Sequence, residues 1–93
     1  MAGEYSLYLL RCADDTLYTG IAQDVTARLA AHESGRKGAK YLRGRSPLTL
    51  VFAEAVGDRG RAQRLESRVK QLPRARKLAL IEGRLALADL EAG

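Results

Sequence analysis

Ninety-three residues, 46% hydrophobic and 29% charged, make one small domain with a single core and exclude both a disordered chain and a two-domain enzyme. Sixteen Lys and Arg against eleven Asp and Glu leave a formal charge of +5, which favours an anionic partner, nucleic acid foremost. A single cysteine, Cys12, and a single histidine, His32, exclude an internal disulfide, a Cys/His zinc site and a Cys/His nucleophile arrangement.

Residues 4–12, "EYSLYLLRC", are aromatic and aliphatic with partial alternation, and "TLYTGIA" at 16–22 is β-branched and aromatic. With Ala13-Asp14-Asp15 between them as turn residues, the pair reads as a β-hairpin. Asp24 is a good N-cap for "VTARLAAHES", and Gly35 is a natural stop, which predicts a helix over 25–34. Residues 35–47 hold three glycines and a proline with no apolar period, so they read as a long basic loop.

"LTLVFAEAV" at 48–56 is a near-continuous apolar run suited to a central strand. Asp58 can cap the next helix, whose Ala62, Leu65, Val69 and Leu72 form one apolar stripe. Pro73 suits the first turn of a further helix, 73–82, closed by Gly83, and 84–93 reads as a short helical tail or frayed end. The order ββαβαα predicts an α+β fold, a three-stranded, mostly antiparallel sheet flanked by helices, in one domain over 1–93.

No apolar run approaches the roughly 18 residues of a membrane helix, and Glu4 stands where a signal peptide would be basic. A soluble cytoplasmic chain with no membrane and no disulfide-linked partner is expected.

The cations are clustered. Arg36, Lys37, Lys40, Arg43 and Arg45 form a run with no acid among them, and residues 59–77 carry eight cations around the single acid Glu66. Twelve of the sixteen cations are arginine, a bias suited to planar, bidentate phosphate recognition. A lone carboxylate amid positive charge is also what a hard divalent cation needs when phosphates supply its other ligands. The plainer reading of Glu66 is an i,i+4 ion pair with Lys70.

Tyr8, Tyr18 and Arg28 fall at intervals of ten, with His32 one helical turn after Arg28. Arg28 and His32 therefore point the same way. Whether the tyrosines share a sheet face depends on the hairpin. A two-residue Asp14-Asp15 turn sets them on opposite faces; an odd-length loop or a bulge brings them together. The residues alone leave both registers open.

On these residues the chain resembles the GIY-YIG endonuclease domain, in particular its small stand-alone bacterial branch, the YhbQ-like proteins. Ser6-Leu7-Tyr8 stands for the first triplet and Tyr18-Thr19-Gly20 for the second. The helix arginine falls on Arg28, the helical His or Tyr on His32 and the metal-binding glutamate on Glu66, a match covering about residues 4–82. "GAKYLRGRSP" resembles the branch's basic loop. The first triplet lacks its Gly and Ile, the second has Thr for Ile, and the chain contains no asparagine to match the C-terminal Asn of many family nucleases.

The resemblance implies an endonuclease hydrolysing nucleic-acid phosphodiesters, DNA rather than RNA, in repair or processing. It implies one Mg²⁺ or Mn²⁺ on Glu66, Arg28 on the phosphate, Tyr18 or Tyr8 as the base, and His32 as proton relay, with both tyrosines on one face. Gly20, Lys40, Tyr41, Arg43 and Arg45 would contact nucleic acid. The alternative is a non-catalytic nucleic-acid-binding module that keeps the fold.

Overall fold

The computed structural model describes residues 3–34, 45 and 47–91. Strands β1 (Tyr5–Arg11) and β2 (Leu17–Ala22) precede helix α1 (Val25–Ser34), strand β3 (Thr49–Gly57) and helices α2 (Arg59–Lys70), α3 (Arg74–Ile81) and α4 (Leu87–Glu91). The sheet order is β2-β1-β3 with both pairings antiparallel. The expected α+β fold with a flanked three-stranded sheet is therefore present, and the tail adds the short helix α4.

The centre of the sheet is β1 rather than β3. Leu7, Tyr8, Leu9 and Leu10 are all buried, because β1 is paired on both edges and covered on both faces. β3 is an edge strand whose Thr49, Leu50, Ala53, Glu54 and Ala55 are exposed. Its apolar run suggested a central strand, but two register shifts against β1, at Tyr5/Ser6 and Leu9/Leu10, break its pairing, as is common at sheet edges.

Alternation along β1 divides the core in two. Leu7 and Leu9 join Val56, Ala62, Leu65, Val69, Leu80 and Leu87, so α2, α3 and α4 cover that face. Tyr8 and Leu10 join Cys12, Ala22 and Leu48, with Tyr18, Val25 and Leu29 packed against them, so α1 serves the other. The α2 stripe falls where the sequence sets it: Ala62, Leu65 and Val69 are buried and Leu72 is half-buried.

The predicted caps form. Asp24 Oδ1 accepts from the Ala27 backbone N–H at 3.0 Å, and Asp58 Oδ1 accepts from Arg61 N–H at 2.8 Å. Pro73 stands at the N-cap of α3, one residue before its first turn. At the far end of α1, Glu33 Oε2 accepts from Leu48 N–H at 3.1 Å, which ties α1 to the entry of β3.

The hairpin turn settles the register. Cys12 N–H donates to Thr16 O at 2.9 Å and Asp15 N–H to Cys12 O at 2.9 Å, closing a three-residue loop. Asp15 has φ +68°, the left-handed residue that such a loop needs and one that aspartate tolerates. With this odd loop Tyr8 pairs with Gly20 and Leu10 with Tyr18, so Tyr8 and Tyr18 are diagonal neighbours on one face.

Candidate active site

The shared face carries an aromatic triad. Ring centroids lie 6.4 Å apart for Tyr8 and Tyr18, 6.2 Å for Tyr8 and His32, and 5.6 Å for Tyr18 and His32, the last pair edge-on. The Tyr8 hydroxyl and His32 Nε2 are hydrogen-bonded at 2.9 Å in a buried setting. β1 supplies Tyr8, β2 supplies Tyr18 and α1 delivers His32 from above. Tyr18 is half-buried, whereas Tyr8 and His32 are buried.

Burial governs the protonation of the inner pair. It pushes Tyr8 up to about 12; the charge of Tyr18 and then that of Glu66 add to the rise, and a hydrogen bond and the charge from Arg28 oppose it. His32 is held below its ordinary 6.5, first by burial and then by the charge of Arg28. Both groups are therefore neutral near pH 7. Arg28 on α1 and Glu66 on α2 thus act on the same phenol in opposite directions, Arg28 favouring its ionised form and Glu66 opposing it.

Glu66 keeps the plain ion pair as well: Lys70 Nζ lies 3.3 Å from Glu66 Oε2. Among the described residues no group of three His, Cys, Asp or Glu side chains can hold a metal ion. One partly exposed carboxylate does not make a resident metal cage, but it fits a magnesium-type ion that arrives with phosphate, which commonly uses one or two carboxylates and keeps the rest of its shell from phosphate and water.

The nucleic-acid residues expected from the sequence are distributed differently. Gly20 is buried beneath Tyr8, and a β-carbon there would stand 2.5 Å from the phenolic oxygen. Its observed role is to make room for that ring. Lys40, Tyr41 and Arg43 lie outside the described residues. Arg45 is engaged at the hairpin: its guanidinium pairs with Asp14, and its carbonyl accepts from Ala13 N–H at 2.9 Å.

The Asp14-Asp15 turn is in fact ringed by arginines. Arg74 donates to Asp15 O at 2.8 Å and to Asp15 Oδ2 at 3.1 Å, and Arg11 Nε lies 3.4 Å from Asp15 Oδ1. Part of the arginine excess therefore anchors the turn that fixes the tyrosine register. Sequence reading gave no sign of this, since Asp15 and Arg74 are 59 positions apart.

Beside Tyr18 a cleft of about 270 Å³ opens at the free edge of β2, lined by Leu17, Tyr18, Thr19, Lys70 and Lys77. Lys77 was not singled out from the sequence, and Thr19 entered only as the middle residue of the second triplet. The packing of α2 and α3 side chains beside β2 around one opening is what brings them together.

The profile of the GIY-YIG catalytic domain matches residues 4–79. The chain belongs to the GIY-YIG family. A UPF0213 protein of Cronobacter sakazakii is 50% identical over 88 residues, 95% of this chain and 92% of that one. The UPF0213 protein YhbQ of Escherichia coli is 54% identical over 84 residues, covering 90% and 83%. The solution NMR structure of a UPF0213 protein from Bacillus halodurans superposes with a TM-score of 0.55 at 43% identity, over 85% of this chain and 83% of that one. The GIY-YIG architecture and its nuclease-like fold are thus shared across the chain's full sheet. Among the described residues no helix is long and apolar enough to cross a membrane.

Proposed function

We propose that this GIY-YIG chain is a divalent-metal-dependent endonuclease that hydrolyses nucleic-acid phosphodiester bonds, DNA in preference to RNA, in repair or processing. The observation that carries the reading is the convergence of Tyr8, Tyr18 and His32 on one face with Arg28 and Glu66 acting on the same phenol. A buried phenol bonded to a buried imidazole and subject to the charges of Arg28 and Glu66 is the kind of perturbed cluster that collects at functional sites.

Arg28 binds the non-bridging oxygens of the scissile phosphate, where a fixed guanidinium favours the charge of the transition state. Tyr18, the accessible phenol, faces the substrate and orients the attacking water. Tyr8, pushed up to about 12, has only roughly one part in 10⁵ as phenolate at pH 7, so it serves as a neutral proton conductor and not as a standing base. In the tautomer protonated at Nδ1, His32 accepts from the Tyr8 hydroxyl at Nε2 and is the nitrogen base at the end of the relay.

The phosphate also makes the relay easier. The Arg28 charge helps keep His32 neutral, and an anion on Arg28 offsets that charge as the imidazole takes its proton. Glu66 would hold the Mg²⁺ or Mn²⁺, which supplies charge stabilisation to the phosphate and the departing oxygen. Lys70 must then release Glu66, at little cost for a partly exposed pair.

A cleavage assay in Mg²⁺ and Mn²⁺ across single-stranded, duplex and branched DNA and RNA tests the proposal. Cleavage that disappears with Arg28→Ala and with chelator supports it. Tight binding without cleavage across the whole panel moves the chain to the non-catalytic module, a reading favoured by the absence of any asparagine in the chain.

A further inference from the structure

The last turn of α1 is pinned to the sheet through two adjacent residues. His32 Nε2 meets the Tyr8 hydroxyl at 2.9 Å, and Glu33 Oε2 accepts from Leu48 N–H at 3.1 Å. Tyr8 and Leu48 belong to one buried cluster, against which Leu29, one turn earlier on the same side of α1, also packs. Leu48 stands just before β3, whose pairing with β1 begins at Arg11 and Thr49, so its N–H lies outside that ladder. A buried N–H needs an acceptor, and Glu33 supplies one from 15 positions away.

The helix dipole does not favour Glu33. The last turn of α1 is where a cation is preferred, and His32, the basic residue of that turn, is held below its ordinary 6.5 and is neutral near pH 7. A carboxylate there works against the dipole, while its bond to Leu48 ties the helix end to the sheet. The tie acts at the point of greatest leverage. Asp24 caps α1 and Val25 packs its first turn, whereas His32 lies about 10 Å further along the axis, so a tilt of about 6° moves the imidazole by about 1 Å. A shift of that size away from the sheet takes the 2.9 Å bond to Tyr8 out of hydrogen-bonding range.

We propose that Glu33 is a positioning residue for the His32 relay: its bond to Leu48 N–H holds the end of α1 against the sheet, so that the imidazole meets the Tyr8 hydroxyl. The relay rests on the proposed function; the seating of the ring does not.

Two conservative variants separate reach from charge. Glu33→Gln keeps the length and an acceptor oxygen but removes the charge, whereas Glu33→Asp keeps the charge and is one methylene shorter. NOEs between the rings of His32 and Tyr18, whose centroids are 5.6 Å apart, should persist in Glu33→Gln and fall to a small fraction in Glu33→Asp. The titration of His32 has opposite signs in the two. It should hold or fall in Glu33→Gln, where a neighbouring negative charge is gone, and rise toward 6.5 in Glu33→Asp, because burial is the first cause of its lowering and Arg28, the second, rides on the same helix. In the cleavage assay Glu33→Asp should lower kcat about 10- to 100-fold with KM unchanged, and Glu33→Gln should stay within about twofold of wild type.

Ring NOEs and a His32 titration that match wild type in both variants overturn the positioning role and reduce Glu33 to an acceptor for one N–H. A ring displaced as far by Glu33→Gln as by Glu33→Asp overturns it too, because charge rather than reach is then at work. A ring displaced by Glu33→Asp alone, in a chain that cuts nothing, keeps the seating of His32 and removes the nuclease.

Discussion

The Tyr8 ring lies against Gly20, its direct cross-strand partner, so closely that a β-carbon at position 20 would stand 2.6 Å from Cζ and 3.0 Å from Cε2. The glycine of the second triplet and the tyrosine of the first are thus one packing unit. Its consequence is positional: the ring leans across β2 and brings its hydroxyl to His32.

Gly20→Ala should cost about 1–3 kcal/mol, the usual range for overpacking a filled core, because Tyr8 is 1% exposed and has nowhere to retreat. Urea unfolding measures the loss, and the displaced ring should also abolish cleavage while salt-dependent binding persists. A variant as stable and active as the wild type would show that the ring has spare room.

Tyr8→Phe and Tyr18→Phe should separate the two phenols. Removing the Tyr8 hydroxyl interrupts the relay to His32 and should lower kcat by about 10²–10⁴, the usual share of a positioned proton carrier. It also leaves His32 Nε2 without its 2.9 Å partner, at a cost of about 1–3 kcal/mol. Tyr18→Phe should lower cleavage with a smaller effect on stability, since Tyr18 is only half-buried. Equal stability losses in the two variants would remove the distinction drawn between an inner and an outer tyrosine.

Glu66→Gln keeps shape and hydrogen-bonding capacity but removes the charge that a divalent ion requires. Cleavage should disappear while nucleic-acid affinity holds or rises, since a repelling carboxylate is gone. Loss of the pair with Lys70, whose side chain is 54% exposed, should cost well under about 1 kcal/mol. Equal cutting rates in Mg²⁺ or Mn²⁺ for the folded variant and the wild type would exclude the metal role of Glu66.

Much of this candidate site's grouping was legible before the fold. Tyr8, Tyr18, Arg28, His32 and Glu66 stand out by spacing and by the isolation of Glu66 among cations, and Asp24 and Asp58 announce the starts of α1 and α2. The register was not legible, because it depends on one left-handed residue, Asp15, in a loop whose length Asp14-Asp15 leaves undecided. The strand order was misjudged for a related reason: an apolar run reports burial, and β1 is the more buried strand by being paired on both sides. Arg45 illustrates the remaining difficulty. As a cation in a basic segment it reads as a phosphate ligand, but its partner is Asp14, 31 positions away, and contacts at that separation have no local pattern.

Stability should fall at both ends of the pH scale for reasons located in one hydrogen-bonded pair. His32 is held below 6.5, so its contribution is present above that value and is lost as pH falls through the folded value, where the unfolded chain binds the proton more readily. Tyr8 is raised from 10.0 to about 12, so its contribution is complete below pH 10 and is lost as pH climbs toward 12, a change of roughly 3 kcal/mol at most. Melting temperatures at pH 9 to 12 should therefore fall more steeply for wild type than for Tyr8→Phe. Parallel alkaline arms would mean that the phenol is not buried as described.

Thr19→Val should raise stability. Both residues are β-branched and suit a strand, so the exchange removes a hydroxyl and leaves the backbone preference unchanged. That hydroxyl is buried and unpartnered in the free protein, and relieving it should gain about 1 kcal/mol, seen as a higher urea midpoint at an unchanged slope. A lower midpoint for Thr19→Val would show that the hydroxyl is satisfied in the folded protein and that the threonine contributes to the core.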